Sequence, residues 1–160
     1  MFIIKPYKPE HRAWAREMLS EHWGSTLSVS RGCVHDAELL PGFVAESSGS
    51  PAGLVTYNIE KDQCEVVTLN SLAEKQGIGG ALVNAVRNDA YSKKCGRLWL
   101  ITTNDNTYAF KFYQKLGFKV SAYHIDAVEQ SRKLKPGIPY VGLDGIIIRD
   151  EIELEMKIEI

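Results

Sequence analysis

Ala73-Glu74-Lys75-Gln76-Gly77-Ile78-Gly79-Gly80-Ala81-Leu82 joins an apolar run at residues 64–69 to a helical pattern that begins at Gly77. Three glycines stand where that helix starts. Glycine lets the backbone turn tightly and come close to a ligand. The first amides of a helix have no partner inside it, and they point outward with the positive end of the helix dipole behind them. The stretch reads either as a phosphate-binding turn or as a plain strand-to-helix turn packed on a sheet. These residues alone leave both readings open.

Outward from the turn, the pattern alternates strands and helices. Residues 2–7 form a short apolar segment, a first strand. Pro9 opens a helical pattern through about His22, with Trp14, Met18 and Leu19 on one face. Residues 23–33 are rich in Gly, Ser and Thr and read as a loop. Residues 42–47 and 52–59 read as strands joined through Ser48-Gly49-Ser50-Pro51, a hairpin signal. Past the turn, Ile78, Leu82, Ala85 and Val86 make one apolar stripe of a helix over residues 77–93. Residues 98–101 are an unbroken apolar run, the mark of a strand covered on both faces. Residues 106–116 have Ala109, Phe112, Tyr113 and Leu116 at helical spacing, and Gly117 ends that helix. A strand at 118–125, a short helix at 127–134 and a loop at 135–145 follow. In the last segment Ile152, Leu154, Met156 and Ile158 alternate with Glu151, Glu153, Glu155 and Lys157, a closing strand whose glutamates read as a solvated face or as a surface that attracts a cationic amine. The order predicts one mixed α/β domain over residues 1–160, with no repeat and no linker.

Composition narrows the function. At 160 residues, one domain with a real core is expected. A net charge of -1 argues against nucleic acid as the main partner, since polyanion binders carry a basic excess. Cys33, Cys64 and Cys95 are odd in number and far apart, so neither a disulfide framework nor a zinc site is expected. The first nine residues hold Lys5, Pro6 and Lys8 and give no sign of a secretory leader. No apolar run reaches the roughly 18 residues that a membrane span needs. The expectation is a cytoplasmic protein with neither a membrane nor a metal. A dinucleotide fold would need glycine at Leu82, and a P-loop needs Gly-Lys followed by Ser or Thr; both fail here.

Asn106-Thr107-Tyr108-Ala109-Phe110-Lys111-Phe112-Tyr113-Gln114-Lys115-Leu116-Gly117-Phe118 fills every fixed place of N-x-x-A-x-x-F-Y-x-K-x-G-F. Together with the glycine turn this resembles the GNAT superfamily of acetyl-CoA-dependent N-acetyltransferases. The two signatures cover residues 64–118, and the order of elements extends the likeness to most of the chain. Residues 131–136 and 148–155 look like one bacterial branch of that superfamily whose members are uncharacterised. The turn departs in one place: the family has Arg or Gln where Glu74 stands, and Lys75 is the nearest replacement charge.

The resemblance implies a mostly antiparallel sheet of about seven strands with helices on both faces. It implies acetyl-CoA as donor and a primary amine of a small molecule or peptide as acceptor, with a homodimer allowed. The amides from Lys75 through Gln76, Gly77, Ile78, Gly79, Gly80 and Ala81 would hold the CoA diphosphate. Val67 to Leu69 would pair with the pantetheine arm, and a backbone amide near Leu69 would face the thioester oxygen. Asn106, a natural helix cap, would also bond the cofactor. Tyr113 would sit by the sulfur and protonate the leaving thiolate. Its place on an apolar helix face equally suits a core residue.

The amine must lose a proton before it attacks, because alkyl amines titrate near ~10. Glu65, on the strand before the turn and of the same parity as Val67 and Leu69, is the candidate base, against a reading as an exposed strand carboxylate. His35 and His124 are rivals by chemistry alone. Trp23 and Arg31 are the candidate acceptor-side residues, the latter for an anionic acceptor, as Arg132 and Arg149 would be. No cysteine is placed as a covalent carrier, so direct transfer is expected. The alternative is an acyl-CoA sensor on the same fold that binds without transfer.

Overall fold

The computed structural model describes residues 1–73 and 76–159. Seven strands build one sheet in the order β1 (Phe2–Pro6), β4 (Gly42–Ser47), β5 (Ser50–Glu60), β6 (Gln63–Ser71), β7 (Arg97–Thr103), β9 (Glu151–Lys157), β8 (Lys119–His124). Every neighbouring pair is antiparallel except β6 and β7. Helices cover both faces, so the expected mixed α/β sheet is the observed one.

The two faces have separate cores. On one, α2 (Ile78–Ser92) and α3 (Thr107–Lys115) pack on the sheet through Ile78, Leu82, Val83, Val86 and Tyr113, against Val55, Tyr57, Val66, Leu98 and Leu154. On the other, α1 (Arg12–Trp23) lays Ala15, Met18 and Leu19 on Val44 and Leu54. The period-2 alternation of β5 feeds both: Leu54 faces α1 while Val55 faces α2. The short helix α4 (Val128–Leu134) also lies on the α1 side, where Ser131 bonds β9.

Two sequence expectations change. Residues 23–33, read as a loop, contain β2 (Leu27–Ser30), which pairs with β3 (Cys33–Asp36) in a separate antiparallel hairpin. Its small polar residues hide a strand whose support is tertiary. Residues 98–101 are not equally covered on both sides. Leu98 and Leu100 are buried, whereas Trp99 and Ile101 are only partly so, because α1 and the hairpin leave a hollow over that face.

Gly53 lets α2 press its first turn onto the sheet. A Cβ there would lie 2.8 Å from Ile78 Cγ2 and 3.0 Å from the Asn70 carbonyl oxygen. The start of α2 therefore sits at the carboxyl end of β6. Gly53→Ala is expected to destabilise the fold by about 1–3 kcal/mol through overpacking, while Gly96→Ala, in open space, should lie within about 0.5 kcal/mol of the parent. Chemical denaturation of the two variants checks the contrast.

Candidate functional site

One irregularity in β6 creates the site. Thr56 pairs with Thr68 and Tyr57 with Val66, so Val67 is an extra residue without a partner on β5. Such a bulge bends its strand and increases the twist. On the other side, β6 stays with β7 only for Gln63, Cys64 and Glu65, opposite Arg97, Leu98 and Trp99. Beyond Glu65 the two strands diverge, and residues 66–71 have no ladder on the β7 side. The Leu72 amide bonds the Ala52 carbonyl at 2.8 Å. By alternation the amides of Asn70 and Thr68 face β5 and that of Leu69 faces the open cleft.

The bulge also resets side-chain parity. Glu65 was expected to share a face with Val67 and Leu69. Instead Leu69 packs into the α2 core, while Glu65, Thr68 and Asn70 point to the α1 side, where Glu65 meets Ser30 and Asn70 meets Trp23. One extra residue moves everything after it to the opposite face.

A cavity of about 830 Å³ occupies the cleft. Val66, Val67, Thr68 and Asn70 line one wall and Ile101, Thr102 and Thr103 the other. The end of α1 and the β2–β3 hairpin close one side, and residues 135–148 reach over it through Ile138, Pro139 and Ile148. Glu65, Val67, Trp23 and Asn106 all lie on its lining. Trp23 is half exposed there, and its indole N–H donates to Asn70 Oδ1 at 3.0 Å, so the ring is a wall and not core.

Glu65 is buried, which overturns its reading as an exposed carboxylate; 6% of its surface is exposed. The Ser30 hydroxyl donates to Oε2 at 2.6 Å, and His35 Nε2 stands 3.6 Å from Oε1. Burial pushes its carboxyl above the ordinary carboxylate range, and the negative charges of Glu153 and Glu151 push the same way. The Ser30 bond and the His35 ring pull against this. A carboxylate so placed takes up a proton more readily than one in water.

The cofactor-side residues fall in three groups. Gly77 caps α2 with φ +78°, and the amides of Ile78, Gly79 and Gly80 follow it with no carbonyl inside the helix to receive them. The Ala81 amide, expected in the same cradle, already donates to the Gly77 carbonyl at 3.0 Å, because it begins the helical ladder. Gln76 is exposed beside them, while Lys75, with Glu74, lies outside the described residues. A Cβ on Gly79 would stand 3.0 Å from Phe112 Cζ, so a glycine there also lets α2 approach α3.

Asn106 caps α3, its Oδ1 accepting the Ala109 amide at 3.0 Å while its side-chain amide stays free to donate. Tyr113, two turns on, is not on the cavity lining. It lies edge-on between Phe112 and Phe118, and burial raises its phenol above the usual tyrosine range. Its hydroxyl has no partner among the described residues.

Arg31 does not face this cavity. It lines a smaller one of about 290 Å³ behind Ser30 and Glu65, so the suggested anion contact is absent from the cleft. Glu151, Glu153 and Glu155, read as a solvated face, are covered. Glu151 is 3% exposed and bonds the Ser131 hydroxyl, and Arg97 bridges Glu153 and Glu155. Sequence reasoning missed Ser30 and Asn70 as lining residues, while Glu151, one of the glutamates weighed for a cationic amine, does line the cavity. Among the described residues no group of three or more His, Cys, Asp or Glu could hold a metal, and no helix is long and apolar enough to cross a membrane.

A bulged strand parting from its parallel neighbour, followed by a helix that a glycine opens, defines an acyltransferase-type fold. The chain belongs to the Acetyltransferase (GNAT) family, whose profile matches residues 4–118. It is 42% identical over 154 residues to the uncharacterised protein YdhI of Bacillus subtilis, covering 95% of this chain and 96% of that one. To YxbD, an uncharacterised protein of the same organism, it is 36% identical over 140 residues, 87% and 88% of the two chains. Among solved structures, a Bacillus subtilis acetyltransferase in complex with CoA superposes with a TM-score of 0.70 at 16% identity, over 99% of this chain and 100% of that one. A GNAT acetyltransferase of Elizabethkingia anophelis with acetyl-CoA bound gives 0.68 at 20% identity, over 98% and 97%.

Because folding raises the Glu65 pKa, the native state holds its proton to higher pH than the unfolded chain does. This group therefore lowers stability as pH rises through the ordinary carboxylate range, and the loss is complete above its raised value. Glu65→Gln is expected to melt above the parent at pH 8, with the gap closing on acidification toward pH ~4. A melting-temperature series against pH checks the sign.

Proposed function

We propose that this protein moves an acetyl group from acetyl-CoA directly to a primary amine of a small molecule or peptide. The observation that carries the reading is the cleft between β6 and β7. It offers an unladdered strand edge beside a buried carboxylate, at the foot of a helix N-terminus. The ligands of the CoA-bound and acetyl-CoA-bound structural neighbours support it.

In this reading the pantetheine arm lies along Val67 to Leu69 as an added strand. The diphosphate meets the amides of Gly77 to Gly80, with Gln76 beside it. Asn106 gives its free amide hydrogens to the cofactor. The acceptor enters the cavity as an ammonium ion, and Glu65 takes one proton from it. The neutral nitrogen then attacks the thioester carbonyl. The Leu69 amide stabilises the oxygen as charge builds, and the C–S bond breaks. As the bond breaks, Tyr113 passes its proton to the departing thiolate and regains one from the acylated nitrogen, which keeps a single N–H. Its raised pKa keeps the phenol protonated until then. Positioning supplies much of the rate, since held reactants reach effective concentrations on the order of 10⁵ M or more.

Three measurements test this. Acetyl-CoA at about 100 times its Kd should stabilise the fold by roughly 2.7 kcal/mol. A panel of spermidine, tyramine, an aminoglycoside and a peptide with a free N-terminus should yield an N-acetylated product by mass spectrometry. Binding without any product would identify a sensor instead. Tyr113→Phe should lower kcat by about tenfold or more with CoA affinity nearly unchanged; an unchanged kcat removes Tyr113 from the mechanism.

A further inference from the structure

Ser30 and Glu65 lie on the lining of both cavities, and His35 lines only the smaller one. The hydroxyl-to-carboxylate bond between them is thus a partition one side chain thick. In front lies the large cleft. Behind lies a space of about 290 Å³ bounded by the β2–β3 hairpin, the turn between β5 and β6, and Trp99. Glu65 Oε2 is held by Ser30, and Oε1 is the oxygen nearer His35. The imidazole keeps 18% of its side chain exposed, whereas Glu65 keeps 8%. A proton that reaches Glu65 meets, in the direction of solvent, an imidazole nitrogen 3.6 Å away.

Resting on the assignment of Glu65 as base, we infer that His35 and the rear cavity carry away the proton released by the acceptor amine. When the reactants occupy the front cleft, they block the return to water through its mouth. The rear route avoids them. The balance is simple. The ammonium N–H bond breaks and Oε1–H forms; Oε1–H breaks and Nε2–H forms; the imidazolium loses a proton to water in the rear cavity. Glu65 is left a carboxylate and His35 neutral, ready for the next turnover.

The surroundings suit a relay. Arg31 and Cys33 on the hairpin, Glu60 at the end of β5, and Lys61 and Asp62 in the turn after it face the rear cavity with His35. Both signs of charge are present around the ring. Glu151 and Glu153 on β9 act on Glu65 from the other side and favour its protonated form, while His35 favours its carboxylate. His35 is a positioning and relay group, since it works through Glu65 and touches no reactant.

The test uses the full chain with the fastest acceptor of the panel above. His35→Gln keeps size and hydrogen bonding but cannot titrate. It is expected to lower kcat by about tenfold with both KM values within about twofold. The acid limb of its pH–rate profile should move to higher pH, because the charge that favours the Glu65 carboxylate is gone. A second arm needs no variant of the ring. Cys33 is exposed while Cys64 and Cys95 are buried, so N-ethylmaleimide should fill the rear cavity at Cys33. It should cut kcat while leaving CoA affinity intact, and it should not slow Cys33→Ser further. Full kcat in His35→Gln, or a labelled enzyme as fast as the unlabelled one, would overturn the relay. If Glu65→Gln keeps full kcat, or no acceptor is turned over, the base assignment falls and the relay with it; slow Glu65→Gln with fast His35→Gln removes the relay alone.

Discussion

Val67, the one residue of β6 without a partner on β5, is the constraint on which the site depends. A regular strand would continue its ladder with both neighbours and leave nothing to bind. The bulge turns β6 away from β7 after Glu65 and leaves the edge of residues 66–71 unladdered. It also sends Thr68 and Asn70 to the face of Glu65, so one irregularity assembles the lining. The fold retains the bulge because both ends of β6 are fixed. Its start is pinned between β5 and β7 at Gln63–Glu65, and its end is held by Asn70 against Trp23 and by Ile78 over Gly53.

The hairpin of β2 and β3 is the second determinant. Two strands alone are marginal in water, and this pair gains support through contacts to the sheet. Ser30 bonds Glu65, the Arg31 amide approaches Glu151 Oε1 at 3.3 Å, and Lys135 donates to the Leu27 carbonyl at 2.9 Å. Closing the hollow over β6 and β7 in this way removes two carboxylates from water. Burial alone would disfavour their charge; hydroxyl and amide donors offset part of that cost. The outcome is a carboxylate adjusted for proton uptake beside a cavity with mixed polar and apolar walls.

Much of this was legible in the sequence. Residues 106–118 carried the α3 cap, the Tyr113 helix and the Gly117 stop in one motif, and the glycines at 77–80 marked the start of α2. Those features are local, so local sequence encodes them. The bulge was not legible, because it exists only in the register between two strands, and parity counted along β6 alone put Leu69 on the face of Glu65, whereas it packs into the α2 core. The β2–β3 hairpin was missed for a related reason: Ser, Thr and Gly there read as loop, and contacts to Glu65 and Glu151 make them strand. Glu151, Glu153 and Glu155 alternate as a solvated face would, but β9 lies inside the sheet, and α4, Arg97 and His124 cover that side.

The most direct test of the central claim is a crystal structure of this protein grown with acetyl-CoA. The pantetheine amides should be bonded to the main chain at Val67–Leu69, the diphosphate should lie on the amides of Gly77–Gly80, and the thioester should face Glu65 across the cavity. Acetyl-CoA bound elsewhere, or β6 and β7 closed into a continuous ladder under saturating acetyl-CoA, would contradict it.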